Sequence, residues 1–113
     1  MITLYGIPNC DTMKKARKWL AEHDVDYVFH DYKKLGIEEP LLRDWISRVG
    51  WEVLLNRRGM MWRKLTQEQR DNIDEQNAIA LMLSTPSIIK RPVLVKDDLI
   101  LVGFDETKYE ELV

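Results

Sequence analysis

One cysteine in 113 residues excludes an internal disulfide, and there is no CxxC, because Met13 stands where a second thiol would follow Cys10. Histidine is nearly as scarce. His23 and His30 are the only imidazoles, and neither lies near Cys10 in sequence. That set is poor for a metal, so none is expected, and a protease-like Cys/His pair has no support. No apolar run approaches the roughly 20 residues that a membrane-spanning helix needs. The chain opens directly on the strand-like MITLY, without a basic lead and an apolar export segment, and a cytoplasmic location is the expectation. A formal net charge of −2 removes any global attraction for nucleic acid or acidic membranes, so anion binding has to be local. No linker or internal repeat divides the chain.

What is present reads as one α/β domain. Ile2 to Tyr5 is a short apolar, β-branched run closed by Gly6 and Pro8, which predicts a strand. From Asp11 the apolar positions Met13, Ala16, Trp19 and Leu20 keep helical spacing, with Lys14, Lys15, Arg17 and Lys18 on the other face. Tyr27 to His30 predicts a second strand, and a βαβ unit of this length favours a parallel pair. A helical middle follows. Leu41, Leu42, Trp45, Ile46 and Val49 form a stripe between Pro40 and Gly50, and Trp51 to Leu55 allows one more turn. Thr66 to Gln69 has capping-box form, and Asp74 caps a helix through Ala78 to Leu83, which Ser84-Thr85-Pro86 ends. Pro92 to Val95 and Leu99 to Val102 predict an antiparallel hairpin about Lys96-Asp97-Asp98. Asp105 caps a last helix, with Phe104 and Tyr109 spaced as a hydrophobic staple.

In this layout Cys10 follows a strand and heads a helix, where unpaired N–H groups and the helix dipole favour a thiolate. Lys14, one turn on, is placed to add to the effect. Asp11 works against it and serves mainly as a helix cap. Local spacing leaves two readings open: a reactive thiol at a loop mouth, or a small buried hydrophobe. The flanks Pro8, Asn9, Asp11 and Thr12 are turn and cap residues, which suit the mouth. Without a second thiol or an adjacent base, a reactive Cys10 has to exchange with an external thiol or disulfide, such as glutathione or a partner's cysteine.

YGIPNCDT, the late IIKRPVLV and the helical stretch between them resemble the ArsC-type arsenate reductase family, with LLNRRGMMWRKL and LVGFDE most similar to its Spx and YffB branch. The resemblance covers the whole chain in order. It implies a thioredoxin-like α/β fold, with a mixed β-α-β and β-β-α sheet core at 1–33 and 88–113, a helical insert at 34–87, and one domain over 1–113. It also implies that Cys10 is the catalytic thiol, that Arg91 faces its pocket, and that Arg91-Pro92 is a cis peptide beside it. Thr12 and Lys14 join as substrate-binding candidates. The implied activity is monothiol oxidoreduction through a mixed disulfide, with no bound cofactor and glutathione as co-substrate. The branch's alternative is Spx-like binding of RNA polymerase; direct contact with nucleic acid or membrane is not expected.

Departures from the family pattern bear on substrate. Arsenate reductases carry a histidine where this chain has Gly6, and an arginine where it reads Val102-Gly103-Phe104. A third oxyanion arginine falls at Asn56, next to Arg57 and Arg58. Clamping a tetrahedral oxyanion takes several converging donors, so arsenate reduction is not expected. Arg57 reads equally as a partner for a glutathione carboxylate or as part of a wet loop. Met60-Met61-Trp62 and the four tryptophans read as packing, and the basic face after Cys10 as a solvated surface able to steer an anionic tripeptide.

Overall fold

The computed structural model describes all 113 residues, which form two compact units. The first comprises Met1–Leu35 and Arg91–Val113, the second Gly36–Lys90. In chain order the first unit contributes β1 (Ile2–Gly6), α1 (Asp11–Glu22), β2 (Tyr27–Asp31) and α2 (Tyr32–Leu35). The second holds α3 (Glu39–Val49), α4 (Trp51–Leu54), α5 (Met60–Arg63), α6 (Gln67–Asp71) and α7 (Glu75–Ser84). The chain then returns to the first through β3 (Val93–Lys96), β4 (Leu99–Val102) and α8 (Glu106–Tyr109).

The sheet runs β2-β1-β3-β4. β1 and β2 are parallel, as a helical crossover requires, while β3 lies antiparallel to both β1 and β4. Alternation along the strands sets one face against α1. Phe29, Leu4, Leu94 and Leu101 form a row across all four strands on that face. Leu4 and Leu94 join Ile2, Met13, Ala16, Trp19, Leu20, Leu101 and Tyr109 in one buried cluster. Emptying one such site, as in Leu4→Ala, costs about 2–5 kcal/mol. A slip of one residue in β1 would turn Ile2 and Leu4 to the opposite face, so burial specifies the register.

The two ends of α1 differ. Its C-terminus is held by the His23 ring, which stacks on Trp19 at 3.8 Å and sets Nδ1 2.8 Å from the Trp19 carbonyl. Its N-terminus has Cys10 as the capping residue and Asp11 as the first helical one. The expected Asp11 cap is therefore displaced by one position: the turn through Pro8 and Asn9 delivers Cys10 in extended backbone, and the Lys14 N–H bonds to the Cys10 carbonyl at 2.9 Å.

Within the second unit, α3 and α4 pack on α7. Gly50 adopts φ +89°, a conformation that separates α3 from α4 and that a side chain would strain. Thr66 closes a complete capping box with Gln69, and Asp74 accepts from the Asn77 N–H at 2.8 Å. In the first unit Asp105 accepts from the Thr107 N–H at 3.0 Å, and the Phe104 ring meets Tyr109 edge-on at 4.9 Å. The hairpin turns on Asp97 and Asp98 alone, with Asp97 at φ +52° and Lys96 still in the strand. Two four-residue helices, α2 and α5, have no counterpart in the sequence reading, being too short to show a period.

Candidate active site

The strand ends converge. β1 stops at Gly6, whose parallel partner is Asp31 at the end of β2, and β3 starts at Val93, opposite Tyr5. Residues just beyond these points share one edge of the sheet: Cys10 after β1, Tyr32 after β2, Arg91 and Pro92 before β3. The Gly103 N–H closes the row on the Pro92 carbonyl at 2.8 Å. Pro92 is buried, its bond to Arg91 is cis, and Arg91 and Cys10 are each half-buried.

Burial and three groups set the charge of the Cys10 sulfur. Burial acts most strongly and pushes the thiol up. Against it stand the Met13 N–H, the Arg91 guanidinium and the Thr12 N–H, and Arg91 acts by hydrogen bonding and by its charge. The balance holds the thiol below its ordinary value. The sulfur does not form a closed side-chain cap; it sits in the field of the first-turn N–H groups. Neither Lys14 nor Asp11 contributes, contrary to the sequence reading. Both side chains are exposed, where water screens them.

Cys10, Thr12, Arg91 and Pro92 are thus brought to one edge. Lys14 stands on the exposed face of α1. Arg57 belongs to the second unit, where its exposed guanidinium lies 5.6 Å from the ring centres of both Trp51 and Trp62. His23 and His30 are occupied against Trp19 and Tyr5. No three His, Cys, Asp or Glu side chains gather as a metal set.

Gly6 has a local explanation. A Cβ there would overlap the Met13 Sδ and lie 2.7 Å from its Cε, so Met13 fills the space beside β1 and has to shift for any side chain at position 6. Two residues of this edge escaped the sequence reading. Tyr5 stacks near the Tyr32 ring at 6.4 Å with 22° between planes, and Tyr32 is fully buried. Burial raises both phenols, that of Tyr32 well above the usual range. The signal for Tyr32 was its place directly after a strand parallel to β1.

The sequence model of the ArsC family matches residues 5–112. An uncharacterized protein of Haemophilus influenzae is 41% identical over 110 residues, covering 97% of this chain and 96% of its own. The Global transcriptional regulator Spx of Enterococcus faecalis is 30% identical over 108 residues, with coverage of 94% and 81%. The solved structure of a YffB protein superimposes with a TM-score of 0.94 at 52% identity, covering 98% of this chain and 97% of that one. A mixed four-stranded thioredoxin-like sheet with a thiol at the head of its first helix, matched over nearly its full length, makes this chain a member of the ArsC family.

Proposed function

We propose that this protein is a monothiol oxidoreductase working with glutathione. The Cys10 thiolate attacks a disulfide, a Cys10–S–S–R bond forms, and the original S–S bond breaks with its electron pair leaving on the departing thiolate. A glutathione thiolate then attacks the mixed disulfide and returns Cys10 as a thiolate. No cofactor is needed, because the reducing electrons arrive with glutathione. The supporting observation is the lowered thiol, held by the first-turn N–H groups and Arg91 against the pull of burial.

Arg91 stabilises the thiolate both as nucleophile and as leaving group. Pro92 walls the sulfur, Thr12 offers a hydroxyl beside it, and Lys14 draws in the anionic tripeptide. Arg57, set over two indoles within the second unit, is by itself a candidate carboxylate partner. Arsenate reduction is not proposed: with Gly6 closed by Met13 and no arginine at 102–104, a tetrahedral oxyanion lacks converging donors. A cytoplasmic setting, reducing and rich in glutathione, suits the cycle.

Incubation with glutathione disulfide at neutral pH followed by mass measurement tests the reading. A single adduct on the native chain, absent from Cys10→Ser, is the expected result; no adduct on the native chain ends it. The Enterococcus relative is a global transcriptional regulator, which favours a second reading, contact with RNA polymerase through a surface that does not need the thiol. Capture of purified polymerase subunits equally by the native chain and Cys10→Ser, with no adduct on either, would support that one.

A further inference from the structure

We propose that Tyr32 is a positioning residue for Arg91, its hydroxyl receiving the guanidinium whenever Cys10 is tied up in a disulfide. The inference rests on the mixed-disulfide reading above and adds to it a second seat for the arginine.

The Tyr32 hydroxyl is fully buried and has no hydrogen-bond partner. Leaving such a group unpaired costs its desolvation, whereas a phenylalanine of the same shape would cost nothing. Its ring is held by the stack against Tyr5, and the backbone pins it where β2 ends, on the same sheet edge as Cys10 and Arg91. The Arg91 guanidinium is within electrostatic reach of the phenol oxygen, as it is of the Cys10 sulfur. The same cation therefore acts on both the sulfur and the phenol.

Charge decides which acceptor it serves. While Cys10 is a thiolate, the ionised sulfur outcompetes a neutral phenol. Disulfide formation removes that charge: the sulfur becomes neutral, and the negative charge departs with the leaving thiolate. The thiolate charge that held Arg91 is then gone, and the phenol oxygen is an acceptor already stripped of water. When an external thiol releases Cys10, the thiolate draws the guanidinium back. Tyr109 provides an internal control, since its hydroxyl is also buried and unpartnered but its ring sits against Trp19 and Phe104 in the core cluster.

Thermal melting of four species reads the effect: native chain and Tyr32→Phe, each with Cys10 free or capped as Cys10–S–S–CH₃ by methyl methanethiosulfonate, which releases methanesulfinate. With the thiol free, Tyr32→Phe melts at or above the native chain. With the thiol capped, it melts several degrees below the capped native chain, because only then does the hydroxyl hold the guanidinium. Tyr109→Phe shifts both states alike. A Tyr32→Phe shift of the same sign and size in both states overturns the proposal. In the native chain, capping moves the Tyr32 ζ-carbon resonance and leaves that of Tyr109 in place; a fixed Tyr32 resonance also overturns it. The reagent caps thiols without glutathione recognition. A failed glutathione adduct therefore counts against the proposed function alone, and the sign reversal is read independently.

Discussion

At the scale of single residues, the sulfur of Cys10 is a contest between burial and four stabilising contacts, and Arg91 supplies two of them. Arg91→Gln should move the midpoint of iodoacetamide alkylation upward by about one pH unit, since burial is then opposed only by the N–H groups. Asp11→Ala should leave that midpoint unchanged, because the exposed carboxylate is not among the groups acting on the thiol. Stability follows by linkage. The folded thiol titrates lower than the unfolded one, so its contribution is complete above about 8.5 and lost as pH falls through the lowered folded value. Denaturation midpoints of the native chain relative to Cys10→Ser should therefore rise with pH across that interval and run parallel outside it. How much of this was legible in the sequence differs by residue. Cys10 was, because a strand, a turn and a helix start are all local signals. The opposing roles of Lys14 and Asp11 were misread, since proximity along a helix says nothing about exposure.

Among the elements, helix ends and strand–helix contacts carry the specificity. Thr66→Ala removes one half of a capping box in which Gln69 Oε1 also accepts from the Thr66 N–H at 2.9 Å, and Asp74→Ala removes the cap of α7. Each should cost about 1 kcal/mol, seen as a lower denaturant midpoint with an unchanged slope. Gly6→Ala is a different case. The new methyl meets the thioether of the fully buried Met13, which has to shift within the core, so a loss of about 1–3 kcal/mol is expected. Adding Met13→Ala should recover part of it, and a double-mutant cycle measures the coupling. The caps were legible because Thr66, Gln69, Asp74 and Asp105 announce themselves within four residues. The reason for Gly6 was not, since its constraint comes from a side chain on another element.

For the molecule as a whole, net charge is −2 and offers no attraction to an anionic tripeptide. Steering has to come from the local face of Lys14, Lys15 and Lys18, all exposed on α1. Adduct formation with glutathione disulfide should therefore slow several-fold between low salt and about 0.5 M, as screening shortens the reach of those charges. A neutral disulfide such as hydroxyethyl disulfide should show little dependence. Equal salt dependence for both probes would assign no steering to that face.

What the amino-acid order determined by itself was everything that depends on near neighbours: the periods of β1, α1 and α3, the caps, the hairpin, and the placing of a lone thiol at a helix head. Strand order was decided only by the assembled sheet. β3 joins β1 because that pairing puts Leu94 beside Leu4 under α1, a gain in buried surface to which no short window of sequence corresponds. The same pairing carries Arg91 across eighty intervening residues to the Cys10 sulfur and within electrostatic reach of Tyr32. A thiol's position is written locally, but its acidity belongs to the tertiary structure, because charge and burial act through space and not along the chain.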